Sequence, residues 1–245
     1  MKYLLFSGVI TIIMLQAGNS DSLAVKDPVV QTAPATLQHN WEILFDGKDL
    51  KKWRKTTSDS LPSNGWVIEG NTLSVTPGRK GGDILTRSLY SNFELVFDFK
   101  LTKGANSGIK YLVTQMENSK THHASMMGIE YQIIDDYNHP EIKDNPNGTI
   151  STASAYLLYS PVGKKLLPPG QWNSGKIIVK GKYAEHWLNG VLVTRYTRGT
   201  AEFDAKLSQT KFKDYPDYAK ADIGHIMLTD HGDRVYFRNI KIRRL

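Results

Sequence analysis

The chain has 245 residues, no cysteine and a formal net charge of +7. Without cysteine no disulfide framework can form, so stability must come from a packed core, for which this length is ample. The basic balance raises nucleic acid as a partner, yet Lys176, Lys180 and Lys182 are scattered among apolar strand residues. Only the stretch 241–244 is dense, and no recognition-helix pattern accompanies it, so nucleic acid is set aside.

Met1-Lys2-Tyr3 precedes an apolar run from Leu4 to Leu15 and a small-residue exit near Ala17 to Ser20. This is the layout of a secretory leader over residues 1–20, and it predicts export to the periplasm or beyond. The run is too short for a transmembrane segment, which takes about 20 apolar residues. Residues 21–38 carry two prolines and little periodicity and read as a linker or disordered segment, leaving 39–245 as one folded domain.

Strand signals dominate from there on. Trp66–Ile68 and Thr72–Val75 flank a short Glu69-Gly70-Asn71 connection, which predicts a hairpin. Phe93, Leu95, Phe97, Phe99 and Leu101 alternate with polar residues, the pattern of a half-buried strand. Further strands are expected at Ile177–Val179, Ile226–Leu228 and Val235–Ile242. His186–Leu188 and Val191–Val193 are joined by Asn189-Gly190, the pair that supplies positive φ in a type I′ turn. Ten or more short strands without a fixed repeat and without long helical periodicity predict an all-β sandwich of two antiparallel sheets.

Polar chemistry interrupts this pattern at Glu130-Tyr131-Gln132, which opens into the Asp/His/Asn-rich loop from Asp135 to Gly148. Alternation puts Glu130 and Gln132 on one strand face and Ile129, Tyr131 and Ile133 on the other. A carboxylate beside an amide suits sugar hydroxyls, although a merely solvated face would look the same. A second grouping is Asn106-Ser107-Gly108-Ile109-Lys110-Tyr111, which also reads as a loop entering a strand. A third is Thr229-Asp230-His231-Gly232-Asp233, whose histidine is a ready acid or base near neutrality.

Metal signals are thin: His122-His123 are adjacent, so on an extended chain they point apart, and no HExxH or calcium-loop spacing is present. A divalent ion in the Asp135–Asp144 loop remains open, and no other cofactor is expected. No phosphate cradle and no G-x-S-x-G elbow occurs. Two-acid glycosidase chemistry is not demanded either. Glu130 and Asp135 have opposite strand parity, and Glu130 and Asp136 would lie roughly 20 Å apart along a strand.

The run Leu44-Phe45-Asp46-Gly47-Lys48-Asp49-Leu50 with Trp53 resembles the opening of the 3-keto-disaccharide hydrolase family. The segments 65–73, 81–86, 90–100, 105–111, 130–136, 168–181, 187–190 and 224–242 follow in the family's order, so the resemblance covers nearly all of the chain from Trp41. It implies a concanavalin A-like jelly-roll sandwich acting on disaccharides or glycosides whose glucose ring carries a ketone at carbon 3. It further implies catalytic roles for Glu130 and His231, and sugar contacts from Gln132, Asn106, Ser107 and Arg238. Asp135, and Tyr111 where similar chains often carry arginine, complete the expected substrate-binding set.

Such a ketone acidifies the hydrogen at carbon 2, so one base could start loss of the carbon-1 substituent, with water addition making the net result hydrolysis. The expected partner is an oligosaccharide or glycoside. Oligomeric state is not legible. The rivals are a carbohydrate-binding module without catalysis, a conventional glycosidase of the same fold and an interaction domain on a cell-surface assembly.

Overall fold

The computed structural model describes residues 41–62, 64–78 and 81–245; the leader and linker expectations lie outside them. The described residues form thirteen strands: β1 (Glu42–Phe45), β2 (Trp53–Lys55), β3 (Trp66–Glu69), β4 (Thr72–Val75), β5 (Ile84–Thr86), β6 (Phe93–Leu101), β7 (Asn106–Glu117), β8 (Ala124–Ile134), β9 (Trp172–Lys180), β10 (Tyr183–Leu188), β11 (Val191–Thr197), β12 (His225–Leu228) and β13 (Val235–Arg244). They form two antiparallel sheets. Sheet 1 has eight strands in the order β11-β10-β9-β6-β13-β4-β3, with β1 also paired to β13, and sheet 2 runs β2-β5-β12-β7-β8.

The core lies between the sheets and is built by the alternation visible in the sequence. Phe93, Leu95, Phe97, Phe99 and Leu101 of β6 face Ile109, Ile129, Tyr131 and Ile133 of sheet 2, and all are buried in one cluster. Both expected hairpins form, β3 with β4 and β10 with β11. At the second turn Asn189 and Gly190 have φ of 49° and 81°, the double left-handed turn that matches strand twist.

Among the described residues two short α-helices interrupt the strands. α1 (Pro140–Lys143) lies in the loop after β8, with the His139 side chain accepting from the Glu141 amide at its start. α2 (Ala201–Ser208), absent from the sequence reading, is capped by Thr200, which accepts from the Phe203 amide, and buries only Phe203. Among the described residues no helix is long and apolar enough to cross a membrane.

β7 is bent near its middle. Leu112 has φ of 52°, and the register with β8 shifts between Tyr111 and Thr114. A bulge of this kind increases local twist and re-aims the side chains beside it. Here it separates the inner part of the β7–β8 ladder, which carries Glu130, from the outer hairpin.

Candidate active site

On sheet 2 the face opposite the core carries Asn106, Gly108 and Lys110 of β7 and Glu130 and Gln132 of β8. Register places Lys110 directly across from Glu130 and Gly108 across from Gln132. Non-core sheet faces are normally wet, yet Glu130 is 5% exposed and Gln132 is 2% exposed. The difference comes from chain segments that fold back over them and leave a cavity of about 450 Å³, within the usual range for small-molecule sites.

Three segments make the walls. The long loop after β8 returns along the β8 edge, where the Tyr156 amide donates to the Glu130 carbonyl and the Ala153 amide to that of Gln132. Tyr156 is thereby fixed beside Glu130. The tip of the β7–β8 hairpin is tied to a 3₁₀ turn, Lys211–Asp214, through the Ser119 amide on the Asp214 carbonyl at 2.8 Å and Lys120 on the Asp214 carboxylate at 2.9 Å. This wall adds Asn118, Phe212 and Tyr215. The third wall is the β12–β13 turn with His231. The Asp233 carboxylate holds it by accepting from the Asn106 amide at 2.9 Å, and Asp230 by accepting from the Gly82 amide at 3.0 Å.

Within the cavity, Gln132 donates from its amide nitrogen to the Asn106 Oδ1 at 3.1 Å, so the two amides orient one another. Glu130 Oε1 is buried and meets no hydrogen-bond donor among the described residues. A buried carboxylate oxygen without a protein donor is costly unless water or a ligand meets it, which makes Glu130 a candidate for chemistry. Gly108 makes the pose possible. A Cβ there would stand 2.1 Å from Glu130 Oε1 and 2.9 Å from its carboxyl carbon.

Cations and a phenol complete the electrostatics. Lys211 Nζ stands 5.1 Å from the centre of the Tyr156 ring, while Lys110 lines the floor. Burial, with the neighbouring Glu130 and Glu141 charges, pushes the Tyr156 hydroxyl up to about 12 and keeps it protonated at neutral pH.

The structure thus brings together Glu130, Gln132, Asn106 and His231 and separates the other four sequence candidates from them. Tyr111 is fully buried on the core side of β7, where its hydroxyl meets His186 Nε2 at 2.8 Å and also contacts the Tyr196 hydroxyl. Ser107, 1% exposed, shares that parity and donates to the Thr229 carbonyl. Asp135 is fully buried and accepts from the Gly104 and Tyr137 amides and from Asn138 Nδ2, which organises the loop rather than a ligand. Arg238 stands on the outer face of sheet 1, on the far side of the sandwich. Its neighbours Val235 and Phe237 take the core positions of β13, so it points outward to Asp98 and the Trp172 ring.

The loop suggested for a divalent ion is likewise occupied by protein donors. Asp136 pairs with Lys164 and accepts from the Thr152 amide, and His139 caps α1. Among the described residues no group of three or more His, Cys, Asp or Glu side chains stands together as a metal-binding set.

Tyr156 and the 211–215 turn were not singled out by the sequence, and Lys110 stood in the 106–111 grouping without a role of its own. For Lys110 the signal existed, because the alternation that pairs Glu130 with Gln132 also pairs Asn106 with Lys110 and sends Ser107 and Tyr111 inward.

Comparison with known proteins agrees with this architecture. A solved structure from Parabacteroides distasonis ATCC 8503, provisionally assigned as a glycosyl hydrolase, superposes with a TM-score of 0.73 at 33% identity over 84% of this chain and 94% of that one. A second protein from the same organism, with the same provisional assignment, gives 0.60 at 29% identity over 84% and 100%. A 3-keto-disaccharide hydrolase of Bacteroides thetaiotaomicron is 30% identical over 225 residues, 82% of this chain and 77% of the relative. The family described as 3-keto-alpha-glucoside-1,2-lyase-like matches residues 40–243, and the chain belongs to it.

Proposed function

We propose that this carbohydrate-cleaving enzyme acts on 3-keto-glycosides, including 3-keto-disaccharides, by removing the proton at carbon 2. The observation that carries the reading is the Glu130 carboxylate, held in a sugar-sized cavity with one oxygen meeting no donor among the described residues. A carboxylate oxygen that no described residue hydrogen-bonds is open to accept a proton, and a proton made acidic by an adjacent ketone is what it can remove.

In this mechanism Glu130 takes the carbon-2 hydrogen. The electron pair forms the carbon 1–carbon 2 double bond, and the bond from carbon 1 to the leaving oxygen breaks. Lys110, across the ladder from Glu130, offsets the negative charge that builds on the sugar. His231 at the cavity wall protonates the departing oxygen, and the protonated Tyr156 hydroxyl, with the Gln132–Asn106 pair, holds the ring hydroxyls. Water then adds its hydroxyl to carbon 1 and a proton to carbon 2, and the sum is hydrolysis. The aromatic faces of Tyr156, Phe212 and Tyr215 suit the C–H faces of a pyranose.

The test compares a 3-keto-glucoside with the matched unoxidised glucoside in deuterated water. Cleavage confined to the oxidised sugar, with deuterium gained at carbon 2, is expected. Equal or faster cleavage of the unoxidised sugar means conventional glycosidase chemistry. Binding without any product means a carbohydrate-binding module. The leader-type segment at 1–20 supports the companion reading that the enzyme meets its glycoside outside the cytoplasm, which fractionation of expressing cells checks.

A further inference from the structure

The basic residues scattered through the sequence converge on one surface of the fold. Strand alternation turns Lys100, Lys176, Lys180, Arg238, Lys241 and Arg243 to the outer face of sheet 1. Only Glu94, Asp98 and Glu185 oppose them on the central strands, and Arg195 and Glu69 toward the edges cancel. Cations therefore outnumber carboxylates on this face by three.

The carboxylates are already engaged. Arg238 donates to Asp98 at 3.1 Å and Arg243 to Glu94 at 2.8 Å, while Glu185 accepts from the Tyr183 hydroxyl and Trp187 Nε1. Three ammonium groups stand over aromatic rings instead. Lys100 Nζ lies 4.4 Å from the Tyr236 ring centre, Lys176 Nζ 3.9 Å from that of Trp187 and Lys241 Nζ 4.9 Å from that of Trp41. None of the three makes an ion pair among the described residues. A ring attracts a cation without neutralising it, so the face keeps a positive potential for an anion from outside.

We propose that this face docks the protein on the headgroup plane of an anionic phospholipid bilayer. The proposal stands apart from the chemistry at Glu130, which lies on the other sheet. Lys241 and Lys176 flank Val96 in register, two strand spacings or roughly 10 Å apart, and Lys100 stands roughly 13 Å along β6 from Val96. The cations thus cover an area, whereas a linear polyanion would meet one row of them. A hollow of about 470 Å³ opens beside Lys241, but Asp46 and Asp98 also line it, which disfavours an anionic chain lying there.

Three of the five tryptophans, Trp41, Trp172 and Trp187, lie half-buried on the same face, with Arg238 and Arg243 as further cations over their rings. Ile43, 47% exposed, sits in register beside Lys241. Aromatic rings mixed with lysine and arginine suit a bilayer interface, the rings among headgroups and the cations on phosphates.

The test mixes the full chain with vesicles of phosphatidylcholine, with and without phosphatidylglycerol, and measures binding by sedimentation. The readout is the difference between the two, so that any charge-independent lipid contact of the apolar stretch 4–15 cancels. Far stronger binding to the anionic vesicles, reversed by salt, is expected. Each lysine near such a surface contributes about fivefold, so Lys100→Gln with Lys176→Gln and Lys241→Gln lowers the partition coefficient about 100-fold. Lys143→Gln with Lys206→Gln and Lys220→Gln, which removes the same charge elsewhere, stays within a few-fold of wild type.

No preference for anionic vesicles, or an equal loss in both variants, overturns the proposal. Tighter binding to polygalacturonate than to the vesicles also overturns it and assigns the face to acidic polysaccharide. Should the first variant fail to fold, acrylamide quenching of wild-type tryptophan decides. Anionic vesicles should reduce it, because Trp53 and Trp66 are buried already and the other three rings lie in the contact. Unchanged quenching of the bound protein overturns the assignment to this face.

Discussion

Gly108→Ala isolates the position of the Glu130 carboxylate from its presence. Gly108 is not among the positive-φ residues, so alanine can take its backbone conformation without strain. The new Cβ would lie 2.1 Å from Glu130 Oε1, and ordinary contact begins at 3.4 Å, so the oxygen must move by 3.4 − 2.1 = 1.3 Å. The nearest atoms all belong to one side chain, which has room to swing toward the cavity, so the sheet itself need not shift.

A misplacement of about 1 Å in a reacting group costs on the order of 10²-fold in rate, equivalent to roughly 2.7 kcal/mol in the barrier. Stability should change little, since alanine in a strand costs no more backbone entropy than glycine. The assay is kcat on a 3-keto-glucoside beside a thermal melt. A folded Gly108→Ala protein turning over at the wild-type rate would refute the claim that the observed carboxylate pose is the working one.

Glu130→Gln should lower turnover by 10³-fold or thereabouts while leaving the melting temperature equal or higher, because it removes a buried charge that lacks a donor; full activity would reject Glu130 as the base. Tyr111→Phe leaves His186 Nε2 without its partner and should destabilise by about 1–3 kcal/mol, read by urea unfolding. Its kcat should stay within a few-fold of wild type, and a selective collapse of kcat would return Tyr111 to the catalytic set.

Burial pulls His186 down from 6.5 to about 4. Between those values the unfolded chain binds more protons than the folded one, so stability rises with pH. The contribution, on the order of 3 kcal/mol, is complete above pH 6.5 and lost as pH falls toward 4. Unfolding free energies at pH 7 and 4.5 should differ in wild type and differ less in His186→Gln; identical slopes would refute the assignment.

The same histidine shows how the interior is ordered. His186 Nδ1 lies 3.1 Å from the Ala153 carbonyl, which can only accept, so Nδ1 carries the proton and Nε2 accepts from Tyr111. Tyr196 then donates to the Tyr111 oxygen. The chain Tyr196–Tyr111–His186–Ala153 ties sheet 1 to sheet 2 and to the loop segment that delivers Tyr156. Tyr111 thus contributes to the site by holding its surroundings.

Period-two alternation let the sequence alone determine the sandwich, most of its longer strands, both hairpins and the shared face of Glu130 and Gln132, whereas the short strands β1, β2 and β5 were not read. A side chain's face depends only on its own strand and is therefore local information. The helix α2 escaped because a single buried residue gives almost no helical periodicity, although Thr200 with Glu202 and Asp204 in the first turn carried a capping signal. What stood above Glu130 was decided only by tertiary structure. Tyr156 arrives through backbone bonds to the β8 edge, the 211–215 wall through a hairpin tip nearly a hundred residues earlier, and His231 through Asp233 on Asn106. Those contacts join residues remote in the chain, and their partners are set by how the sheets pack and where loops close, which no pattern within a strand encodes.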